Sequence, residues 1–371
     1  MLEQSNLVQG LGSRDAAPAV RISYSELESW ATDILTSAGM AGEEARLAAQ
    51  ALVRTDARGF PTHGVARLKS YLSKARDGEL NLRARPITTV ADGVVRIKAD
   101  RQFGQVAGAR AIDRMCDLAR DRPVVVGILE DSGHLGALGV LALRAAEDGL
   151  VAVILQSTRA IMGVLGAQGP LIGNNPLALA APRSDGPPLV LDMACSVAAR
   201  GNILLAARSQ TAIPNGWAID AHGHETTDPD EALMGALLPF GGHKGLLVAM
   251  LVEVLAGSLT GATFLGPLNA GGVPRSAVAC NALLMVFNPT RLSSAAAFES
   301  HMHQWIANFK SFGSPPARIP GERAHAAELE ARQSGISLVR EIGDELRAVG
   351  QEHGIPFPGG RESNAPQGIR S

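Results

Sequence analysis

The run from residue 124 to residue 156 constrains the fold most. Val124-Val125-Val126-Gly127-Ile128-Leu129 is an apolar stretch of strand length, followed by the polar turn Asp131-Ser132-Gly133-His134-Leu135-Gly136. A helix is expected from about 137 to 148 and a second strand from 150 to 156, which together read as one βαβ unit. Such a unit places the chain among α/β proteins, whose ligands gather at the carboxyl ends of the strands. His134 falls at that end.

The flanking segments extend the pattern. Residues 86–98 alternate as strands do, and residues 107–119 read as a helix. Residues 176–181 form an apolar patch, 189–193 a strand running into a turn, 195–208 a helix, and 209–231 a long polar loop. A glycine-rich loop leads into an apolar helix at 246–259, and 277–287 reads as a buried strand. Towards the N-terminus, Ser23 and Glu26 have capping-box spacing, followed by the helical stripe Leu27, Trp30, Ala31, Ile34 and Leu35. Helices are expected at 41–54, after Gly64, at 295–312 and at 324–335. Residues 1–20 read as a loose polar arm. The expected division is then 21–80 with 290–371 as a helical domain, and 81–289 as a central mixed-sheet domain.

Several function classes are disfavoured by composition. With 34 basic and 36 acidic side chains in 371 residues, the net charge of −2 exerts no general pull on nucleic acid or anionic membrane. No apolar stretch of spanning length free of Gly, Pro or charge occurs, and the first residues lack the pattern of a secretory signal. Cys116, Cys195 and Cys280 are far apart, form no C-x-x-C pair, and suit reduced thiols in a cytoplasm.

Four segments carry possible chemistry. In Thr62-His63-Gly64-Val65-Ala66-Arg67, helical spacing would set the imidazole and guanidinium on one side of a turn, able to move a proton and bind a carboxylate. The competing reading is a capping Thr with a surface His and Arg. His134 sits in a small-residue turn on a rigid scaffold, or alternatively only satisfies local carbonyls. Gly241-Gly242-His243-Lys244-Gly245 opens a helix, where N–H groups and Lys244 would attract phosphate; a tight turn needing glycine is the alternative. His222-Gly223-His224-Glu225 lacks metal-ligand spacing and reads as a solvated turn, so no metal is expected. Met193 and Met285 read as core, and His301 and His303 as surface. No G-x-G-x-x-G follows a strand, so a dinucleotide would bind without the Rossmann fingerprint.

Taken together, a series of motifs resembles the malate/L-lactate dehydrogenase-like family, also called L-sulfolactate dehydrogenase-like. They are Arg58-Gly59 with Thr62-His63-Gly64-Val65-Ala66-Arg67; Ser132-Gly133-His134-Leu135-Gly136; Ile172-Gly173-Asn174-Asn175-Pro176-Leu177; Leu191-Asp192-Met193-Ala194; Trp217 to Asp220 with Thr227-Asp228-Pro229; Leu238 to Gly245; and Pro320-Gly321-Glu322. They follow the family's order over residues 21–346. Thr62, Pro61, Gly133 and His243 depart from the family's usual Ser, Asp, Asn and aromatic residues.

The resemblance implies an α/β, non-Rossmann NAD(P)-binding fold and a homodimer. It also implies hydride exchange, with NAD or NADP as cofactor, between a small 2-oxo acid and its 2-hydroxy acid. It offers His63 and His134 as competing acid/base positions, with His134 slightly preferred, and Arg67 for the substrate carboxylate. Cofactor contacts are implied at Ser157, Thr158, Leu191, Asp192, Met193, Ala194, His243, Lys244, Pro320, Gly321 and Glu322. The alternatives are a reductase of a cyclic 2-imino carboxylate on the same scaffold, and a non-catalytic nucleotide-binding protein.

Overall fold

The computed structural model describes residues 20–263, 280–312, 317–359 and 361–362. The expected arm, residues 1–20, lies outside them apart from Val20, as do residues 277–279 of the expected buried strand. The chain divides into two compact units, Met1–Leu72 with Ala324–Ser371, and Ser73–Arg323.

In the first unit, helix α1 (Tyr24–Ser37) begins at Ser23, whose hydroxyl oxygen accepts from the Glu26 amide at 3.2 Å. That bond satisfies one of the orphan donors of the first turn. Its face of Leu27, Trp30, Ala31, Ile34 and Leu35 is buried against α2 (Gly42–Ala57), which offers Ala45, Ala48, Ala49 and Leu52. Alanines on one helix let the other approach closely. The strand Val20–Ile22 pairs antiparallel with both Ile336–Leu338 and Arg361–Glu362. A helix at Arg340–His353 follows the helix Glu322–Ser334, so the helix expected at 324–335 is not the last element. Glu328, only 4% exposed, draws Arg54, Arg58 and Arg332 together at 2.8–3.0 Å and ties the end of α2 to the C-terminal segment.

The chain leaves this unit along α3 (Leu68–Arg76). The second unit is built on seven strands, β1 (Ile87–Ala91), β2 (Val94–Lys98), β3 (Val124–Ser132), β4 (Val151–Gln156), β5 (Leu177–Ala181), β6 (Leu189–Met193) and β7 (Cys280–Phe287). Their order is β1-β2-β3-β7-β4-β5-β6. β2 and β3 are parallel, whereas β7 runs antiparallel to both β3 and β4. The expected βαβ unit is therefore present with an antiparallel strand inserted between its two strands. Helices α4 (Gly104–Ala119) and α5 (Leu138–Glu147) cover one face, where Ile112, Met115, Leu138 and Leu141 meet Leu129, Ile154, Leu284 and Val286. On the other face, Val252 and Ala256 pack on Ile128, Leu155 and Leu283. Leu283 and Leu284 thus serve opposite faces, as the two-residue period of a strand requires.

Other boundaries differ from expectation for local reasons. Helix α6 spans Arg200–Arg208, not 195–208, because Ser196 bridges to Pro239 in extended backbone before it. The expected polar loop 209–231 contains the strands Ala218–Ile219 and Glu225–Thr226, part of a small five-stranded sheet, and the start of a helix, Pro229–Met234. The helix Ala295–Ser311 packs through Ile306 and Met302 on Leu189 and Leu179. Residues 290–323 accordingly fall with the sheet rather than with the terminal helices.

Candidate active site

In the first unit, the segment from Thr62 to Arg67 is not one helix. Pro61–His63 and Val65–Arg67 are separate 3₁₀ turns, parted by Gly64 at φ −90° and ψ −147°. The expectation that helical spacing aligns His63 with Arg67 is corrected accordingly, although Arg67 still acts on the imidazole electrostatically. Burial first and the Arg67 charge second lower the His63 pKa to about 4, so the ring is neutral at pH 7. The Thr62 hydroxyl lies 2.9 Å from His63 Nδ1. Arg67 Nε is buried without an acceptor.

Beneath this segment lies Asp56, a buried carboxyl that sequence reasoning missed. Its Oδ2 accepts from the Val65 amide at 2.7 Å, while Oδ1 has no partner. A Cβ at Gly64 would stand 2.2 Å from the Asp56 carboxyl atoms, so only glycine fits. Burial raises the Asp56 pKa to about 8, partly opposed by the Val65 hydrogen bond.

In the second unit, β3 and β4 end and β7 begins at one edge of the sheet, with Cys280 opposite Ser132 and Ala282 opposite Gln156. His134 is half-buried just past β3. The Leu135 amide donates to Gln156 Oε1 at 3.3 Å, joining the segment that follows β3 to the last residue of β4. Ser157 and Thr158 come next, and their side chains are held in a network. Ser157 Oγ donates to Glu253, Thr158 Oγ1 donates to Asn174, and Asn175 Nδ2 donates to Glu253 and to the Ala249 carbonyl. Glu253 opens a π-helical stretch, Glu253–Ser258, that continues α7 (His243–Val252). Such widened turns occur often at functional sites.

The remaining expected contacts sort by exposure. Asp192 on the edge strand β6 accepts from the Gly139 amide at 2.8 Å, in the first turn of α5, where a carboxylate suits the helix dipole. Leu191 and Met193 are 41% and 40% exposed, so Met193 is not core, whereas Met285 is partly buried against the apolar cluster as expected. Ala194 is half-buried after them. Gly241 and Gly242 have φ of +56° and +62°, and nothing lies within 4 Å of a Cβ built on either. His243 and Lys244 are exposed in the first turn of α7. Pro320 and Glu322 have structural partners: the Pro320 carbonyl accepts from Val190, and Glu322 accepts from Lys310, Arg183 and the Ile319 amide. Gly321, at φ +98°, packs against β6. His222 and His224 donate backbone amides to Asp220 in an exposed turn. His301 and His303 are exposed.

A cavity of about 590 Å³ lies at the opposite end of the sheet, lined by Leu150, Asn288 and Glu299 among others. It contains none of the histidines or unpaired donors described above. Volume therefore counts for less here than the placement of groups able to transfer a proton or bind an anion.

Residues 22–347 match the model of the family described as malate/L-lactate dehydrogenase. The chain is 35% identical over 329 residues, 88% of its length and 97% of the other's, to a (2R)-3-sulfolactate dehydrogenase (NADP(+)) of Chromohalobacter salexigens. It is 33% identical over 334 residues, 89% and 97% of the two chains, to a Delta(1)-pyrroline-2-carboxylate/Delta(1)-piperideine-2-carboxylate reductase of Pseudomonas putida. Its fold matches the structure of malate dehydrogenase from Pyrococcus horikoshii with a TM-score of 0.81 and 29% identity, over 92% of this chain and 97% of that one. Sequence and fold agree along nearly the whole length, and the chain belongs to the malate/L-lactate dehydrogenase family.

Proposed function

We propose that this protein interconverts a small 2-oxo acid and its 2-hydroxy acid by hydride exchange with NAD or NADP. Family membership supports the reaction class. The observation that carries the assignment of roles is Arg67, whose buried Nε lacks an acceptor and whose charge depresses the neighbouring His63. A substrate carboxylate forked by Arg67 satisfies that donor and fixes the oxo group's orientation. Burial is the larger of the two influences that keep His63 deprotonated and the Arg67 charge the smaller; the carboxylate offsets the second, so binding moves the imidazole's pKa upward. His63 or His134 then gives a proton to the carbonyl oxygen during reduction and takes it back during oxidation.

The cofactor's phosphates fit the first turn of α7, where two glycines in left-handed backbone leave open space and Lys244 adds charge. Leu191, Asp192, Met193 and Ala194, with Ser157, Thr158 and His243, supply the remaining proposed contacts. Pro320 and Gly321 support them by bracing β6, and Glu322 by holding Lys310, Arg183 and the Ile319 amide next to that segment. When bound, the nicotinamide supplies or accepts the hydride. The antiparallel β7 between β3 and β4 supports a cofactor fold other than the Rossmann fold.

A homodimer is supported by the apolar face of Leu247, Met250, Leu251 and Val254, each 47–60% exposed; sedimentation of the purified protein tests it. Among the described residues no helix is long and apolar enough to cross a membrane. Three buried, unpaired cysteines support a reducing cytoplasm.

A second reading, reduction of a cyclic 2-imino carboxylate, is supported by similarity to the Pseudomonas putida reductase. The two electrophiles separate the readings: purified protein with NADH or NADPH should consume cofactor with a 2-oxo acid. Consumption only with a cyclic imine would move the chain to the second reading.

A further inference from the structure

Asn281 belongs to none of the motifs and has no role in the scheme above, yet three segments of the sheet unit meet on it. It is the second residue of β7, 9% exposed, at the edge where β3 and β4 end. The pairing of β7 with β3 breaks there. Cys280 lies opposite Ser132 and Ala282 opposite Leu129, so Glu130 and Asp131 together face Asn281 alone. Such a bulge bends a strand and re-aims the side chains beyond it. Asp131, within the bulge, is held at φ +55°, a strained conformation for a residue with a Cβ. Its amide donates to the Asn281 side-chain carbonyl, Oδ1, at 3.1 Å. That side chain thus supplies an acceptor where the ladder is interrupted.

The other polar groups of Asn281 reach two further segments. Its Nδ2 donates to Thr260 Oγ1 at 3.1 Å, just past the π-helical stretch that Glu253 opens. Its backbone carbonyl accepts from the Ser157 amide at 3.1 Å. The exit of β2 crosses the same bulge, where the Arg101 amide donates to the Asp131 carbonyl at 2.7 Å, and Asp100 and Arg101 both stand at φ +54°. Asp100, Arg101 and Asp131 are three of the six non-glycine residues with positive φ among the described residues, so strain is concentrated at the point from which His134 departs. Strained backbone persists only where its surroundings hold it, and Asn281 is the side chain that holds Asp131.

We infer that Asn281 is a positioning residue for proton transfer. Through Asp131 it fixes the direction in which His134 leaves β3, and through its own backbone it ties that exit to Ser157, the first of the proposed cofactor contacts on β4's exit. The inference rests on the reading of the chain as an oxidoreductase with His134 as its acid/base. Because the two ties use different parts of one residue, truncating the side chain separates them.

The test measures kcat and KM for pyruvate and oxaloacetate, with NADH and with NADPH, in the wild type, Asn281→Ala, and Asn281→Ala combined with Asp131→Gly. Asn281→Ala should lower kcat by about tenfold or more, because the imidazole is misdirected, and change the cofactor KM by less than about threefold, because the backbone bond to Ser157 remains. Glycine takes the left-handed backbone without strain, so the double variant should return kcat to within about threefold of the wild type. A kcat unchanged in folded Asn281→Ala overturns the inference. So does an equal loss in the single and double variants, which would show a general effect on the fold, and so does a wild-type kcat in His134→Ala. Should Asn281→Ala fail to fold, Thr260→Val decides, since it removes the hydroxyl that orients the Asn281 amide and leaves the bulge untouched; it should lower kcat by about threefold, and no change refutes the inference.

A readout without turnover comes from the imidazole NMR signals of His134, identified by their loss in His134→Ala. They should move in Asn281→Ala and return in the double variant. If the wild type turns over no acid while these signals still move and return, the oxidoreductase reading falls and the hold of Asn281 on His134 stands. Turnover together with signals that ignore Asn281→Ala would leave that reading standing and refute the inference.

Discussion

Each compact unit presents a histidine together with an arginine whose buried Nε has no acceptor, but the two arrangements are made differently. His63 and Arg67 stand on a pair of 3₁₀ turns above the buried carboxyl of Asp56, with Gly64 as the only residue that fits between. His134 and Arg159 extend from the ends of β3 and β4, and their positions follow from strand register. The first arrangement depends on one close contact and one hydrogen bond, from Val65 to Asp56. The second inherits the rigidity of a sheet packed on both faces. The chemistry of the first should therefore be the more fragile of the two and the more sensitive to pH.

The largest expected effect comes from the histidines. Whichever of His134 and His63 is the acid/base, its replacement by Ala should lower kcat by about 10² or more, while the other variant loses less. Comparable kcat values for both variants and the wild type would remove both from the chemistry. The pH profile assigns the role independently, because a limb of kcat/KM near pH 4 that disappears in His63→Ala belongs to that ring.

Glycine substitutions compare the two scaffolds directly. A Cβ at Gly64 meets the Asp56 carboxyl at 2.2 Å, whereas one at Gly133 meets chiefly the movable tip of Leu80 at 2.6 Å, with backbone atoms no nearer than 3.0 Å. Gly64→Ala should cost about 2–3 kcal/mol in urea unfolding, and Gly133→Ala about 1 kcal/mol. Equal costs would erase the distinction. Next in size, Arg67→Lys keeps the charge and loses the fork, which should raise the substrate KM about tenfold with a smaller change in kcat. An unchanged KM removes Arg67 from the substrate.

The smallest effect concerns Asp56. Its folded pKa of about 8 exceeds the ordinary carboxyl value of 3.8, so its contribution to stability is fully present below about pH 4 and is lost as pH rises to about 8. Asp56→Asn should flatten the fall in denaturation midpoint across that window. A wild-type midpoint that rises from pH 4 to pH 8, with the variant following it, would show that Asp56 does not govern that range.

Local signals carried much of the sheet unit. The β3–α5–β4 run was legible because apolar blocks, a polar turn and a helical stripe follow one another without interruption, and the Ser23 cap because a hydroxyl stands three residues before a carboxylate. The insertion of β7 between β3 and β4 was not, since pairing across more than a hundred residues leaves no local pattern. The helix Arg340–His353 escaped notice because its buried stripe is thin, with Gly343 and Gly350 beside Leu346 and Val349. At the candidate site, His63, Arg67 and His134 stood out through their small-residue neighbours. Asp56, Gln156, Arg159 and Glu253 did not, because each acquires meaning from burial and missing or distant partners, which residue spacing does not encode.

The central claim is hydride exchange at the carbon beside a carboxylate. Its most direct test is to reduce a 2-oxo acid with nicotinamide cofactor deuterated at the transferring position and to analyse the product. The account predicts one deuterium at C2 of a 2-hydroxy acid for each equivalent of cofactor oxidised. Cofactor binding with no oxidation across dianionic and monoanionic acids, or oxidation without deuterium at C2, would contradict it.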